Sequence, residues 1–266
     1  MNTTARPLLP PRIIGGDPEP AQQSAASEMP ALTALLNQLG PLPPLTACAG
    51  LNRDGQPLLL RLNIGRLGHA LIMGGPNSGK TALLENLVAS LAISTRQSHL
   101  QLVLIAPRGH AFEDAFGSLP HLLRPGIIAR KRQEIETALD WVNLARVSRR
   151  VAQETGPDTE VTDPAIVVAI DDLDQVSVHD KILGKTLKTI PLGAPVGIHL
   201  LITASIRLRF QVPLTLTSTA RGIPGEFAAA IKGKSIPSQP FHICALPADW
   251  WQPAALRPAR GSASPR

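Results

Sequence analysis

Apolar runs of strand length recur through the middle of the chain: His69-Ala70-Leu71-Ile72-Met73, Leu100-Gln101-Leu102-Val103-Leu104-Ile105, Ile166-Val167-Val168-Ala169-Ile170 and Gly197-Ile198-His199-Leu200-Leu201-Ile202-Thr203. Runs this short and this apolar predict strands buried on both faces. Before them, Leu58, Leu60, Leu62 and Ile64 alternate with Leu59, Arg61 and Asn63, a period of two that predicts one more strand. The segments between the apolar runs carry a helical period. Lys80 to about Ser94 predicts one helix. A long one begins at Gln133, with Ile135, Leu139, Val142 and Ala145 on one face, and stops at Gly156-Pro157-Asp158. Asp180 to about Ile190 and Ala31 to Leu36 predict shorter helices. Gly40-Pro41 stops the latter, and Pro43-Pro44 keeps the chain after it extended. Strands alternating with amphipathic helices predict an α/β fold: a mostly parallel sheet with helices on both faces. Residues 1–29, rich in Pro, Gly, Ala, Ser and Gln, predict a loosely packed arm. Residues 30–252 predict one domain and residues 253–266 a flexible tail. No internal repeat is visible.

Between the first of these apolar runs and its helix stands Gly74-Gly75-Pro76-Asn77-Ser78-Gly79-Lys80-Thr81, a complete G-x-x-x-x-G-K-[ST] pattern (Walker A). A strand, a Gly-rich turn and a helix N-terminus make an anion site, because backbone N–H groups and the positive end of the helix dipole face the ligand. In that pattern Lys80 reaches the β- and γ-phosphates and Thr81 places its hydroxyl on Mg²⁺. The strand before and the helix after separate this reading from a Gly-rich turn with an exposed lysine. Mg-ATP is the expected ligand.

Composition narrows the partners only a little. The chain has 266 residues, 44% hydrophobic, enough for one sizeable core. Net charge is +6, which suits a polyanion such as nucleic acid or an anionic membrane surface. Aromatic residues are 3% of the chain, with no Tyr, so platforms for stacking single-stranded bases are scarce. Cys48 and Cys244 fit no metal spacing and no disulfide framework. No stretch approaches the roughly 18 apolar residues of a membrane span, and the N-terminus lacks a signal peptide's apolar core. The expectation is a soluble, cytoplasmic protein, held at a membrane only by a partner.

Hydrolysis of a nucleoside triphosphate also needs a carboxylate near the metal and a group to orient water. Ile166-Val167-Val168-Ala169-Ile170 runs into Asp171-Asp172. Ligands of open α/β sheets sit at the carboxyl ends of the strands, so Asp171 faces the crevice of the phosphate loop as a metal carboxylate. Asp172 is positioned to polarise the water. The alternative is that both aspartates, with Asp174, cap the following loop and helix.

With these residues in hand, the chain resembles the FtsK/SpoIIIE-like motor domains of the FtsK–HerA branch of RecA-like P-loop ATPases. Leu67 to Gly74 looks like that family's first strand with its histidine, and Leu102 to Gly109 like its second. Leu119-Pro120-His121-Leu122-Leu123 is similar to its Pro-His-Leu segment, and Ala138 to Val142 to the helix preceding its basic run. Gly197 to Ala204 looks like its Gly-Ile-His sensor strand. The resemblance covers about residues 55–210. It implies a RecA-like fold, ATP and Mg²⁺ as ligands, a homo-oligomeric and typically hexameric ring, and movement of double-stranded DNA or, in secretion relatives, of protein. Many relatives carry membrane segments and a DNA-reading winged helix; neither is expected here. Ala106 stands where the family has Asp, Arg108 where it has Lys, and Ser205-Ile206 where it has Gln-Arg. The glutamine is the family's γ-phosphate sensor, and serine is shorter. Asp172 replaces a residue that is often glutamate in such motors, and a displacement on the order of 1 Å can cost about 100-fold in rate. Arg207, Arg209 and Arg221 are arginine-finger candidates.

Arg130-Lys131-Arg132, Arg146, Arg149 and Arg150, and the stripe Lys181, Lys185 and Lys188, are candidate contacts to DNA phosphates, which would give sequence-independent, salt-dependent binding. A solvated helix face accounts for them equally well. His69, His121 and His199 read as packed structural histidines. Trp250-Trp251 docks the tail on the core or on a partner. Two functions therefore compete: a motor ATPase translocating double-stranded DNA, and a degenerate ATP-binding regulatory or assembly subunit of a DNA-transfer or secretion complex. A small-molecule kinase would need a lid and an acceptor site, of which the sequence has no sign.

Overall fold

The computed structural model describes residues 29–63, 67–123, 128–155, 163–176, 184–185, 188–189, 192–205, 212–219, 223–233 and 239–250, except for the side chains at 110, 111 and 113. The arm (to residue 28), the tail, Trp251, Lys181, Arg207, Arg209, Arg221 and most of the 180–190 helix candidate lie outside the described residues. Among the described residues nine strands form one sheet: Thr46–Asn52 (β1), Pro57–Arg61 (β2), His69–Met73 (β3), Leu100–Ile105 (β4), Ala165–Ile170 (β5), Ile198–Ala204 (β6), Leu214–Ser218 (β7), Glu226–Ile231 (β8) and Pro240–His242 (β9), in the order β2-β1-β9-β8-β7-β3-β6-β5-β4. The helices are Leu32–Leu39 (α1), Lys80–Ser94 (α2), His110–Phe116 (α3), Arg132–Thr155 (α4) and Leu173–Val176 (α5).

The sheet is mixed. β3, β6, β5 and β4 pair in parallel, as the sequence predicts, and β7, which the sequence pattern did not mark, joins β3 in parallel. The extension through β8, β9, β1 and β2 is antiparallel, a correction to the expected mostly parallel sheet. Helices cover both faces, as expected. Along β5 the side chains alternate: Val167 and Ala169 join the α2 face with Leu83, Leu87 and Phe116, while Ile166, Val168 and Ile170 join the α4 face with Ile135, Leu139 and Val142. Burying each of these Leu, Ile or Val side chains contributes about 1.5–3 kcal/mol.

α2 is apolar nearly all round, and its polar residues make specific ties. Asn86 donates to the Cys244 carbonyl (2.7 Å), Ser90 accepts from the Cys48 N–H (2.7 Å) and Ser94 donates to the Thr46 carbonyl (3.0 Å). The phosphate-loop helix is thereby fastened to β1 and to the chain after β9. Trp250 is buried against Phe116, ring centroids 5.1 Å apart, so it docks on the core.

The three histidines are packed as expected. His121 Nε2 bonds the Thr95 carbonyl (2.9 Å), His69 Nδ1 accepts from the Leu200 N–H (3.1 Å) and His199 Nδ1 donates to the Gly68 carbonyl (3.0 Å). Burial pushes the His199 imidazole down from 6.5 to about 4, the bond to Gly68 opposing and Arg149 reinforcing the shift. The unfolded chain therefore binds this proton more readily than the folded one. Its contribution to stability is complete above about pH 6.5 and is lost as pH falls toward 4. Urea unfolding is expected to show a loss of about 2 kcal/mol between pH 7 and pH 5 from this group. His199→Gln should flatten that part of the profile; an unchanged slope would remove His199 as its source.

Candidate functional site

β3 ends at the phosphate loop, and its parallel neighbour β6 separates it from β5, which ends at Asp171. The loop's tight path needs left-handed backbone at Asn77 (φ 58°) and Gly79 (φ 88°). Gly79 also has no room for a side chain, since a Cβ there would lie 2.9 Å from the Gly225 nitrogen. Gly225, just before β8, donates its N–H to the Ser78 carbonyl (3.0 Å) and braces the loop from the antiparallel side. Lys80, the first residue of α2, lays its ammonium on the Gly75 carbonyl at 2.7 Å. Gly74 to Thr81 thus form one continuous cradle, and Gly74, Gly75 and Pro76 supply its first turn.

Thr81 and Asp171 meet across the end of β6. The Thr81 hydroxyl stands 3.1 Å from each Asp171 carboxylate oxygen. Asp171 is buried, and its position is set by a residue that sequence reasoning missed. Thr203, in β6, donates its hydroxyl to Asp171 Oδ1 (2.7 Å) and accepts the Asp172 N–H on the same oxygen (2.7 Å). Thr203 sits at the end of an apolar run, where a β-branched residue reads as packing, so nothing in the pattern marked it. Glu85, one turn along α2 from Thr81, was also missed; burial and then the nearby Asp171 push its carboxyl up to about 7.

Asp172 takes a left-handed conformation (φ 56°), which aspartate tolerates better than most residues. Its carboxylate faces Arg108 Nη1 at 3.4 Å. Burial pushes the Asp172 carboxyl above its usual range, Asp174 and Asp171 add to the push, and Arg108 and Lys80 oppose it. Ser205 does not extend into the crevice through a long side chain, and its N–H is bonded to Asp174 Oδ2. Asp174 thereby ties α5 to the end of β6, while Thr81 and Thr203 hold the Asp171 carboxylate. Ala106 is fully buried in the turn after β4.

The crevice combines a backbone anion cradle, an ammonium, a hydroxyl and two carboxylates. Its all-oxygen set from Thr81 and Asp171 fits a hard divalent cation such as Mg²⁺. Among the described residues no cluster of three or more His, Cys, Asp or Glu forms a metal cage. Such a cation would complete its shell with water and phosphate oxygens, as Mg²⁺ commonly does.

The basic residues of α4 are mostly engaged. Arg149 is buried and structural: it donates to the carbonyls of Val196 (3.1 Å) and Pro164 (2.8 Å) and pairs with Asp163 (3.5 Å), so it leaves the set of DNA candidates. Arg132 pairs with Glu136, Arg150 with Glu154, and Lys185 with Asp140. Arg146 bonds Asn143 (2.8 Å). A groove of about 470 Å³ between β4 and α4, lined by Leu102, Leu104 and Trp141 among others, contains none of the site residues.

The sequence profile of the FtsK/SpoIIIE family matches residues 43–216. The chain belongs to the FtsK/SpoIIIE family. It is thereby a member of a family of P-loop ATPases, which implies nucleotide binding. Among curated relatives, it is 32% identical over 99 residues to the DNA translocase SftA of Bacillus subtilis (strain 168), a match covering 37% of this chain and 10% of that protein. It is 24% identical over 229 residues to the DNA translocase FtsK of Tropheryma whipplei (strain TW08/27), covering 77% of this chain and 30% of that one. The chain therefore spans less than a third of either relative. Among solved structures, the fold matches the cytoplasmic domain of the Thermomonospora curvata type VII secretion ATPase EccC, with a TM-score of 0.66 and 20% identity over 82% of this chain and 32% of that one. It also matches the pCW3 conjugation coupling protein TcpA, solved with ATPγS, with a TM-score of 0.63 and 14% identity over 84% of this chain and 71% of that one. Among the described residues no helix of this FtsK/SpoIIIE member is long and apolar enough to cross a membrane.

Proposed function

We propose that this chain is the ATP-hydrolysing subunit of an FtsK-like motor that moves double-stranded DNA through a homo-oligomeric, hexameric ring. The observation that carries the reading is the meeting of Thr81 and Asp171 at 3.1 Å beside the phosphate loop. In this reading the backbone N–H groups of Gly75 and of Asn77 to Gly79, with the Lys80 ammonium, hold the phosphates. Thr81 and Asp171 hold Mg²⁺, which when bound neutralises charge on the phosphate oxygens. Asp172 accepts a hydrogen bond from the attacking water and aligns it. The names of SftA and FtsK, both DNA translocases, favour DNA as cargo. DNA contact is through phosphates, since among the described residues no element for reading base edges stands out.

A second reading is favoured by the Ser205 position, whose N–H is committed to Asp174, and by the short Asp172 held against Arg108. It makes the chain an ATP-binding regulatory or assembly subunit of a secretion or conjugation complex, the settings named for EccC and TcpA. Mg-ATP hydrolysis with and without double-stranded DNA, with Lys80→Ala as the blank, separates the two. The motor reading expects DNA-stimulated turnover that vanishes in the variant. Nucleotide binding without turnover in either condition transfers the chain to the second reading, and no nucleotide binding at all sinks both.

A further inference from the structure

We propose that Arg108 is this chain's own sensor of the terminal phosphate, a cation supplied in cis that Asp172 holds in readiness and that the γ-phosphate of a bound nucleoside triphosphate takes over. The proposal rests on the nucleotide reading of the phosphate loop. Arg108 lies in the turn after β4, which Gly109 closes by donating its N–H to the Ala106 carbonyl (3.1 Å). β5 lies between β4 and β6 in the sheet. To stand 3.4 Å from Asp172, the guanidinium must therefore extend along the carboxyl-terminal edge of the sheet, into the crevice that holds Asp171. Its side chain remains 65% exposed while Asp172 is 21% exposed, so a charged ligand entering the crevice can reach it.

Asp172 directly follows Asp171, whose carboxylate meets Thr81 at the end of the phosphate loop, and Thr203 bonds both aspartates. A cation held on a carboxylate next to the residues that meet the phosphate loop marks a place where a further anion can bind. Ser205, just past the end of β6, has a short side chain, and its N–H is already taken by Asp174. Among the described residues, Arg108 is a cation placed to recognise a third phosphate.

Phosphate outcompetes a carboxylate for this group. A guanidinium offers five donors in a planar fork and binds phosphate oxygens in pairs, whereas its contact with Asp172 is a single long one. An exposed pair of that kind is weak and is easily exchanged. Transfer of Arg108 to the γ-phosphate also frees the Asp172 carboxylate to take water. One movement then links arrival of a triphosphate to exposure of the water-orienting group, and a diphosphate does not cause it.

The test compares affinities for Mg-ATPγS and Mg-ADP in wild type, Arg108→Ala and Arg108→Lys, by calorimetry on the full chain. In Arg108→Ala the ATPγS affinity is expected to fall about 10- to 100-fold, the range for losing charge-assisted hydrogen bonds. ADP affinity should stay within about twofold, and its retention shows that the variant is folded. Arg108→Lys, a point charge without the fork, should fall between the two. Equal weakening of both nucleotides, or no change in either, would overturn the proposal. So would faster turnover in Arg108→Ala with an unchanged ATPγS-to-ADP ratio, which would make the arginine a brake on Asp172. If wild type binds neither nucleotide, or Lys80→Ala binds both as well as wild type, the nucleotide reading itself fails and the Arg108 proposal falls with it.

Discussion

Lys80→Ala is expected to weaken Mg-ATP binding by about 100-fold or more and to leave no measurable turnover. Lys80 is the cation at the first turn of α2, with its ammonium 2.7 Å from the Gly75 carbonyl and so already folded over the loop. A phosphate placed in the cradle replaces that carbonyl with a charged acceptor. Hydrogen bonds to charged groups contribute about 1.5–3 kcal/mol each, and Lys80 offers them to two phosphates. The substitution should leave the fold intact, because alanine is a strong helix former at a helix's first residue. Calorimetric titration with Mg-ATP, beside a thermal melt of the free proteins, checks both halves. Affinity within a few-fold of wild type would mean that this loop is not where the nucleotide binds.

Asp171→Asn carries the second large effect. The side chain keeps its shape and loses its charge. Both Thr81 and Thr203 point hydroxyls at the present carboxylate, so an amide must either turn its oxygen toward them or set donor against donor. Turnover is expected to fall about 100-fold, the scale for removing one preorganised electrostatic group. The Mg²⁺ concentration needed for half-maximal rate should rise, while nucleotide binding without Mg²⁺ should be little changed. A Mg²⁺ titration of the rate reads this directly. A variant with lower rate but an unshifted Mg²⁺ midpoint would place Asp171 outside the metal's shell. Thr203 acts only through Asp171 and Asp172, so its loss should follow the same pattern more weakly.

Much of the site is legible in the chain alone, because its parts are local. A strand, a Gly-rich loop and a helix occupy consecutive residues from His69 to Ser94, and the boundaries of β3 and α2 fall where the pattern places them. The Asp171 strand is equally plain, since a fully apolar run that ends in two acids puts carboxylates at the tip of a buried strand. Thr203 and Arg108 are not legible as partners of the aspartates. Thr203 is 31 residues from Asp172 in sequence. Its pairing depends on β6 lying beside β5, which no local period encodes.

The antiparallel extension is hidden for the same reason. β1 is Thr-Ala-Cys-Ala-Gly-Leu-Asn and β8 is Glu-Phe-Ala-Ala-Ala-Ile, small-residue strands with little strand propensity of their own. They are strands because the edge of the parallel core offers unpaired N–H and C=O groups, and because α2 ties down β1 through Ser90 and Ser94 and the chain after β9 through Asn86. Arg149 shows the reverse case. By sequence it belongs with the other basic residues of α4, yet it lies on the buried face with Leu139 and Val142 and binds carbonyls at the ends of two loops.

By itself, then, the sequence determined the parallel α/β core, the phosphate loop with its helix, the carboxylate strand and the likeness to a motor family. Each is a pattern carried by neighbouring residues, and neighbouring residues constrain one another through backbone geometry alone. Only the tertiary structure decided the antiparallel half of the sheet, the retirement of Arg149 into the core, the bridging of Asp171 and Asp172 by Thr203, and the holding of Asp172 by Arg108. Those depend on which strands become neighbours, and that choice is made by the packing of whole faces rather than by any short stretch of chain.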